Sequence, residues 1–269
     1  MTSSYTLPSL AVAPLILLAI ALCAIIFALP PGITAALTAL TGLTLLYRKP
    51  LIAPWQKTIL WLLLVPLTFW VATWRPAGFS YPLLLQLRDT AGDMVFSLHA
   101  NIAKGLAGFI LLLLLWPKTY PSDNRTPARY YWLLFIVAPP AILAAGVALL
   151  DLQWQPKLLQ HIVIFAFANL FLTCVAEEVF LRLLLQQPLL RVVAQWTGKP
   201  WLGEALAVLL LTFIFVAIHT GLSGAAIQVY ALAGFCYALS YSLSKNILMP
   251  VALHFSVNLG HFALLTYPL

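Results

Sequence analysis

Two adjacent carboxylates lie inside a stretch that is otherwise apolar from 158 to 185. They are Glu177 and Glu178, and Arg182 follows four positions after the second of them. A charge near the centre of a bilayer costs at least ~2.5–3.5 kcal/mol on insertion scales. A chain that keeps three such charges has to face them toward protein or water, because lipid cannot solvate them. The segment therefore predicts a polar site inside a hydrophobic protein.

The helical period gives the two carboxylates different surroundings. Glu178 and Arg182 are four positions apart with the acid first, which favours an ion pair on one helix face. Glu177 points about 100° away and has Leu181 four positions later, so it lacks a local partner and can face a cavity. Such a carboxylate suits a group that accepts and returns a proton. A purely structural network of all three charges is the alternative interpretation.

Two further pairs at helical spacing supply imidazole and carboxamide groups. Phe215 and His219 are four positions apart, and so are His254 and Asn258. An imidazole can exchange a proton with a carboxylate or water, and donors on one face can stabilise a developing oxyanion. Each pair alone fits a packing role, as hydrogen-bonded groups between helices. Together the motifs supply the minimum for amide hydrolysis without a nucleophilic Ser or Cys.

In this order the motifs resemble those of the CPBP family, also called the Abi family, which includes CAAX-type prenyl endopeptidases and bacteriocin-processing enzymes. That family carries Glu-Glu-x-x-x-Arg, then Phe-x-x-x-His, then His-x-x-x-Asn or His-x-x-x-Asp. The resemblance covers roughly 130–265. It implies an intramembrane endopeptidase that cleaves a membrane-associated protein or peptide.

The resemblance also implies a role for each motif residue. Four would be catalytic: Glu177, His219, His254 and Asn258. Three would give structural support: Glu178, Arg182 and Phe215. The glutamate and histidine of the first group would activate a water, and the histidine–asparagine pair on the last helix would bind the tetrahedral oxyanion.

Two glutamates and several histidines also raise the question of a metal. Zinc favours three or four compact ligands, and the chain has no His-Glu-x-x-His motif. Asn258 is a poor zinc ligand, and Arg182 beside Glu178 opposes a nearby dication. We therefore expect metal-independent glutamate chemistry with no cofactor, and zinc is the alternative.

The composition places the chain in the polytopic membrane class. Of its 269 residues 63% are hydrophobic and 8% are charged, against about 25% charged in an ordinary soluble domain. The net charge of +7 needs no nucleic-acid partner, because most Lys and Arg lie between apolar segments, as topology determinants do. Three cysteines within apolar segments argue against a disulfide framework.

Nine apolar segments predict an all-α transmembrane bundle with eight or nine spans. They lie near 8–30, 32–47, 58–74, 98–116, 130–150, 158–185, 201–220, 225–243 and 247–265. We divide the chain into N-terminal transmembrane helices (1–125) and a protease core (126–269). Two other stretches are expected at the membrane surface, an amphipathic helix over 81–87 and the segment 187–201.

The positive charges alternate between the connections. Clusters at 48–57, 118–129, 191–199 and 245 fall on one side of the predicted spans. The positive-inside rule then predicts a cytoplasmic N-terminus, and we expect a bacterial inner membrane. No basic region precedes the first apolar segment, so we expect it to be retained as a helix. This topology places Glu177 toward the cytoplasm and His219 toward the opposite side, so tilt, a later helix start or a broken helix has to bring them together.

The expected partners are the lipid bilayer and a protein or peptide substrate, with no nucleic acid. Two other functions fit parts of the sequence. One is a non-catalytic bacteriocin-immunity or scaffold member of the same family. The other is a proton-coupled transporter that uses Glu177 as a relay, although the chain lacks the paired broken helices that transporters often have.

Overall fold

The computed structural model describes residues 7–88, 92–115 and 126–267, with side chains from residue 12 onward. Nine helices follow one another in this part of the chain: α1 (Leu7–Ile26), α2 (Pro31–Tyr47), α3 (Pro54–Thr73), α4 (Ile102–Leu115), α5 (Ala128–Leu150), α6 (Leu159–Thr197), α7 (Pro200–Ile218), α8 (Ala225–Ser244) and α9 (Leu248–Leu264). Five of them, α3 and α5 to α8, are long and apolar enough to cross a membrane, and the other four are shorter apolar helices. The predicted helical bundle is confirmed.

Prolines and left-handed residues set the helix boundaries. Pro31, Pro54 and Pro200 each start a helix, where the missing N–H costs nothing and the fixed φ is already helical. Gly198 ends α6 at φ 66°, and Lys245 ends α8 at φ 55°. These sharp stops let consecutive helices reverse direction within a few residues.

The helix α6 is irregular around the two glutamates. It has 39 residues, with π-helical turns over Asn169–Cys174 and Val179–Gln186. Between them a single regular α-helical turn, Val175–Glu178, carries both carboxylates. Such π-helical segments are rare and occur frequently at functional sites.

Helices α6 and α7 pack antiparallel about the turn at Gly198. A Cβ placed on Gly203 of α7 would lie 2.6 Å from the Leu190 carbonyl oxygen, so the two backbones touch. Glu177 lies 21 positions before Gly198 and His219 lies 21 positions after it, which brings both to the same level. The topology expected from the sequence, with Glu177 toward the cytoplasm and His219 toward the opposite side, is therefore wrong about the relative positions of these two residues. Residues 187–197 are the last turns of α6 and pack on α7, so they are not a separate surface segment.

The helix expected over 81–87 is also wrong. The chain there forms an antiparallel hairpin of β1 (Leu83–Arg88) and β2 (Met94–His99). Leu85 and Leu87 are buried and alternate with exposed residues, which is the period of a strand. They pack against aromatic rings of α6 and α9, and this contact decides between a strand and a helix.

The bundle has two ends that differ in structure. The hairpin end carries the β-hairpin and the connections 27–30, 74–101, 151–158 and 219–224. There the 151–158 loop pairs with the end of α9, because Gln155 N donates to Leu264 O at 2.8 Å. The turn end carries the connections 48–53, 198–199 and 245–247 and the ends of α4 and α5 that face them. There Lys245 forms an ion pair with Glu204 of α7.

Candidate active site

The four predicted catalytic residues line one cavity of about 470 Å³. Glu177 comes from α6, His219 follows the last residue of α7, and His254 and Asn258 lie one turn apart on α9. Phe215, predicted as support, lines the same cavity. The fold thus brings the three sequence motifs together, although they lie up to 81 positions apart.

A buried polar chain anchors the first motif to α8. Arg182 Nε donates to Glu178 Oε2 at 2.7 Å, and neither side chain is exposed. Arg182 Nη1 donates to Gln186 Oε1 at 2.9 Å, and Gln186 Nε2 donates at 3.0 Å to both Ala238 O and Ser242 Oγ. The ion pair that the spacing predicts is present. Sequence reasoning missed its extension through Gln186.

Glu178 also holds the imidazole of His254. His254 Nδ1 lies 2.9 Å from Glu178 Oε1. An ionised carboxylate only accepts hydrogen bonds, so the proton is on Nδ1 and Nε2 is left for other partners. That Nε2 lies 4.0 Å from Glu177 Oε2. Stacking on Tyr237, with ring centroids 4.6 Å apart, fixes the ring further.

Glu177 has a partner that the sequence analysis did not identify. Its Oε1 accepts a hydrogen bond from Lys104 Nζ at 2.6 Å, and the Lys104 and Glu177 side chains are 21% and 17% exposed. Its Oε2 is buried and accepts no hydrogen bond from any described residue. One feature of the sequence could have indicated this contact. Lys104 is the only cation in the apolar helix α4, and an ionisable residue inside a membrane segment usually has a functional role.

Small residues let α4 come close enough for this contact. A Cβ on Gly108 would lie 2.5 Å from Ala176 Cα, and a Cβ on Gly105 would lie 2.6 Å from Leu172 Cδ2. A larger side chain at Gly108 would force the two helices apart, whereas at Gly105 it would displace the end of the Leu172 side chain. Close approach through small residues is typical of membrane helix pairs, and here it places Lys104 against the glutamate.

His219 is held by the end of its own helix. Its Nδ1 lies 2.6 Å from the Phe215 carbonyl oxygen. Because a carbonyl oxygen can only accept, Nδ1 is the donor, and Nε2 takes no part in this hydrogen bond. The Phe215 ring packs at 4.5 Å from the imidazole. Gly234 makes room for this ring, since a Cβ there would lie 2.8 Å from it. His219 and Glu177 line the same cavity, and the described part of the chain shows no hydrogen bond between them.

Asn258 makes only a weak contact in this arrangement. Its Nδ2 lies 3.9 Å from Cys174 Sγ, and that thiol donates to Asn169 Oδ1 at 3.0 Å. A hydrogen bond to sulfur at this distance is weak. The carboxamide can therefore donate to another acceptor in the cavity.

A second cavity, of about 230 Å³, lies on the other side of the glutamate. Thr68 of α3, Asn101 just before α4 and Lys104 of α4 are part of its wall. It shares Glu177 and His219 with the larger cavity. Glu177 and His219 therefore lie between two cavities. The larger one is lined mainly by the helices that carry the motifs, and the smaller one faces α3 and α4.

The donor set does not suit a dication. Glu177 already binds the ammonium of Lys104, and Glu178 binds the guanidinium of Arg182. Among the described residues no three His, Cys, Asp or Glu side chains converge as a metal site would require. A zinc ion bound by either carboxylate would lie close to one of these cations and be repelled by it.

The outer part of the large cavity is aromatic. Tyr267, which follows α9, packs edge-on against Phe96 of the hairpin and Phe165 of α6. Burial, with a smaller contribution from Tyr230, raises the pKa of Tyr267 to about 12. Its phenol is therefore neutral throughout the physiological range and adds no charge to the cavity.

Residues 159–260 match the family model described as Type II CAAX prenyl endopeptidase Rce1-like. This span contains all three motifs and excludes α1 to α5. The match confirms the predicted resemblance, and with the apolar helices it indicates an integral membrane protein similar to CAAX-type peptidases. Neither a curated protein nor a solved structure matches the chain.

Proposed function

We propose that this chain is an intramembrane glutamic endopeptidase that hydrolyses a peptide bond in a membrane-associated protein or peptide. The observation that carries the proposal is the convergence of Glu177, His219, His254 and Asn258 on one cavity. A carboxylate, two imidazoles and a carboxamide from three separate chain segments form a set that packing alone does not require.

The proposed base is Glu177. Its Oε2 accepts no hydrogen bond from any described residue, so it can take a proton from a water while Lys104 holds Oε1 in place. The resulting hydroxide attacks the scissile carbonyl carbon, and the carbonyl π electrons move onto oxygen. His219 Nε2 is a second acceptor that helps to orient the water. When the C–N bond breaks, the proton returns from Glu177 to the departing amine, giving a new carboxyl end and a new amino end.

The proposed oxyanion donors are His254 Nε2 and Asn258 Nδ2. For the histidine to donate from Nε2, both ring nitrogens have to carry protons. Glu178 stabilises that imidazolium through its hydrogen bond to Nδ1, as a carboxylate does for other catalytic histidines. Loss of one preorganised oxyanion donor costs about 10²–10³ in kcat. We propose that no metal takes part, because the cations of Lys104 and Arg182 already occupy the carboxylates.

The test is terminal-peptide mass spectrometry of membranes from cells that express the wild type or Glu177→Gln. This substitution keeps the shape of the side chain and removes the base. We expect new protein ends with the wild type and none with Glu177→Gln at equal expression. The matched control is Glu204→Gln, which removes a glutamate from an ion pair at the turn end, and it should give the wild-type set of ends.

Identical protein ends in all three samples would overturn the proposal in favour of a non-catalytic immunity or scaffold protein.

The position of Glu177 between two cavities also fits the transporter alternative. No described residue of the turn-end connections lines either cavity, however, so neither cavity reaches that end and Glu177 does not separate the two faces of the membrane. Glu177-dependent proton flux in liposomes without any proteolysis would favour the transporter.

A further inference from the structure

We infer that the cavity opens on the non-cytoplasmic face of the membrane, so that the substrate class is peptide segments exposed outside the cytoplasm. The part of the inference that concerns a substrate rests on the proposed function. The side on which the cavity opens follows from geometry and charge, independently of catalysis.

The cavity walls place both openings at the hairpin end. The outer lining of the larger cavity comes from the hairpin, the 151–158 loop, the 219–224 connection and the segment after α9, for example Leu98, Leu152, Gly221 and Tyr267. The smaller cavity lies against the last two turns of α3 and the first two turns of α4, which also reach that end. No described residue of the turn-end connections 48–53, 198–199 and 245–247 lines either cavity.

The length of α7 supports this placement. It begins at Pro200 beside the turn end and has 19 residues, or about 28 Å at 1.5 Å per residue. The hydrocarbon core of a bilayer is ~30 Å thick. His219, the next residue, therefore lies near the membrane boundary at the hairpin end, where water and an extended peptide can reach it.

The positive charges are distributed very unequally between the two ends. Of the 14 Lys and Arg residues, two are buried in the site and three lie at the hairpin end: Arg75, Arg88 and Lys157. Seven more lie at described positions in or next to the connections of the turn end: Arg48, Lys49, Lys57, Arg129, Arg191, Lys199 and Lys245.

The acidic residues increase the difference in net charge between the two ends. Among the described residues, Asp93 and Asp151 offset two of the three cations of the hairpin end, and Glu177 and Glu178 balance the two cations of the site. Among the described residues, the turn end has the single acidic residue Glu204 against its seven cations. The described residues therefore carry a net charge of +6 at the turn end, seven cations less one acid, and of +1 at the hairpin end, three cations less two acids.

Membrane proteins keep the end that is rich in Lys and Arg in the cytoplasm. With seven such described residues against three, the turn end is cytoplasmic and the hairpin end is not. The catalytic cavity consequently faces away from the cytoplasm. Substrates confined to the cytoplasm could not reach it, whereas exported or membrane-anchored chains with an extended segment on the outer side could.

The test is labelling of single introduced cysteines with a membrane-impermeant maleimide in spheroplasts. Ser223→Cys and Gln153→Cys place thiols at exposed positions of the hairpin end, and Lys199→Cys and Lys49→Cys do so at the turn end. The wild type, with its native Cys23, Cys174 and Cys236, gives the baseline. Two positions at each end keep the test decisive if one variant fails to accumulate.

We expect the hairpin-end cysteines to be labelled equally before and after permeabilisation, and the turn-end cysteines only after it. The reverse pattern, or labelling of both ends in intact spheroplasts, would overturn the inference. The labelling needs no catalysis, so it should be unchanged when Glu177→Gln is added. Loss of proteolysis with the expected labelling would refute the proposed function alone. Cleavage sites that all map to cytoplasmic segments would refute the sidedness alone.

Discussion

The contact between Lys104 and Glu177 gives the sharpest prediction, because the sequence motifs do not include the lysine. The Nζ–Oε1 distance is 2.6 Å and both side chains are mostly buried. At an effective dielectric constant of about 20 the attraction is roughly 6 kcal/mol, and desolvation of the two charges offsets most of it. A hydrogen bond to a charged group contributes about 1.5–3 kcal/mol net.

We expect Lys104→Met to lower the free energy of unfolding by about 1.5–3 kcal/mol. Methionine keeps the apolar length of the side chain and removes the cation. If the same contact orients the base during catalysis, its loss should slow cleavage by roughly 10- to 100-fold, since each 1.36 kcal/mol is a factor of ten. Stability is measured by unfolding in detergent, and activity by cleavage of a peptide that spans an end identified in the membrane experiment.

A double-mutant cycle separates the ion pair from unrelated effects. The variants are Lys104→Met, Glu177→Gln and their combination, and we expect a coupling energy of about 1–3 kcal/mol in stability. Additive changes within about 0.5 kcal/mol would refute the reasoning. The control is Lys245→Met, which removes the lysine of the ion pair with Glu204 at the turn end. It should leave the cleavage rate at the wild-type value.

Three further predictions follow from the packing of the site. Arg182→Met leaves the fully buried Glu178 without its cation, so the free energy of unfolding should fall by about 3–5 kcal/mol, and an unchanged unfolding midpoint would contradict this. Gly108→Ala should displace α4 from Ala176 and reduce cleavage. Its control Gly42→Ala, where no atom lies within 4 Å of the new Cβ, should be neutral or stabilise α2 by up to about 1 kcal/mol. Cleavage by the purified protein should survive EDTA, and a loss that zinc restores would show that a metal takes part.

The local parts of the site could be predicted from the sequence. The Glu178–Arg182 ion pair and the contact between Phe215 and His219 each lie within one helix segment, where the helical period places residues four positions apart on one side. The hairpin could not be predicted in the same way. A short leucine-rich run such as 83–87 fits a strand or a helix, and only the packing of Leu85 and Leu87 on other elements decides.

The contacts that shape the chemistry join distant segments. Lys104 and Glu177 are 73 positions apart, and Glu178 and His254 are 76 apart. No periodicity relates such residues, because their distance depends on where each turn falls and on which helices approach closely. The position of Gly198 sets the level of His219, and Gly108 sets the depth at which Lys104 meets the glutamate.

By itself, the sequence determined that this protein is a helical membrane protein with a charged motif that lipid cannot accommodate. The reason is that apolar segments in a bilayer have to satisfy their backbone hydrogen bonds internally, and that buried charges require partners. Only the tertiary structure decided which partner each carboxylate takes, which nitrogen of His254 is left for other partners, and at which end the cavity opens. Those features depend on the packing of helices against one another, and interhelical distances are not encoded in the period of any single helix.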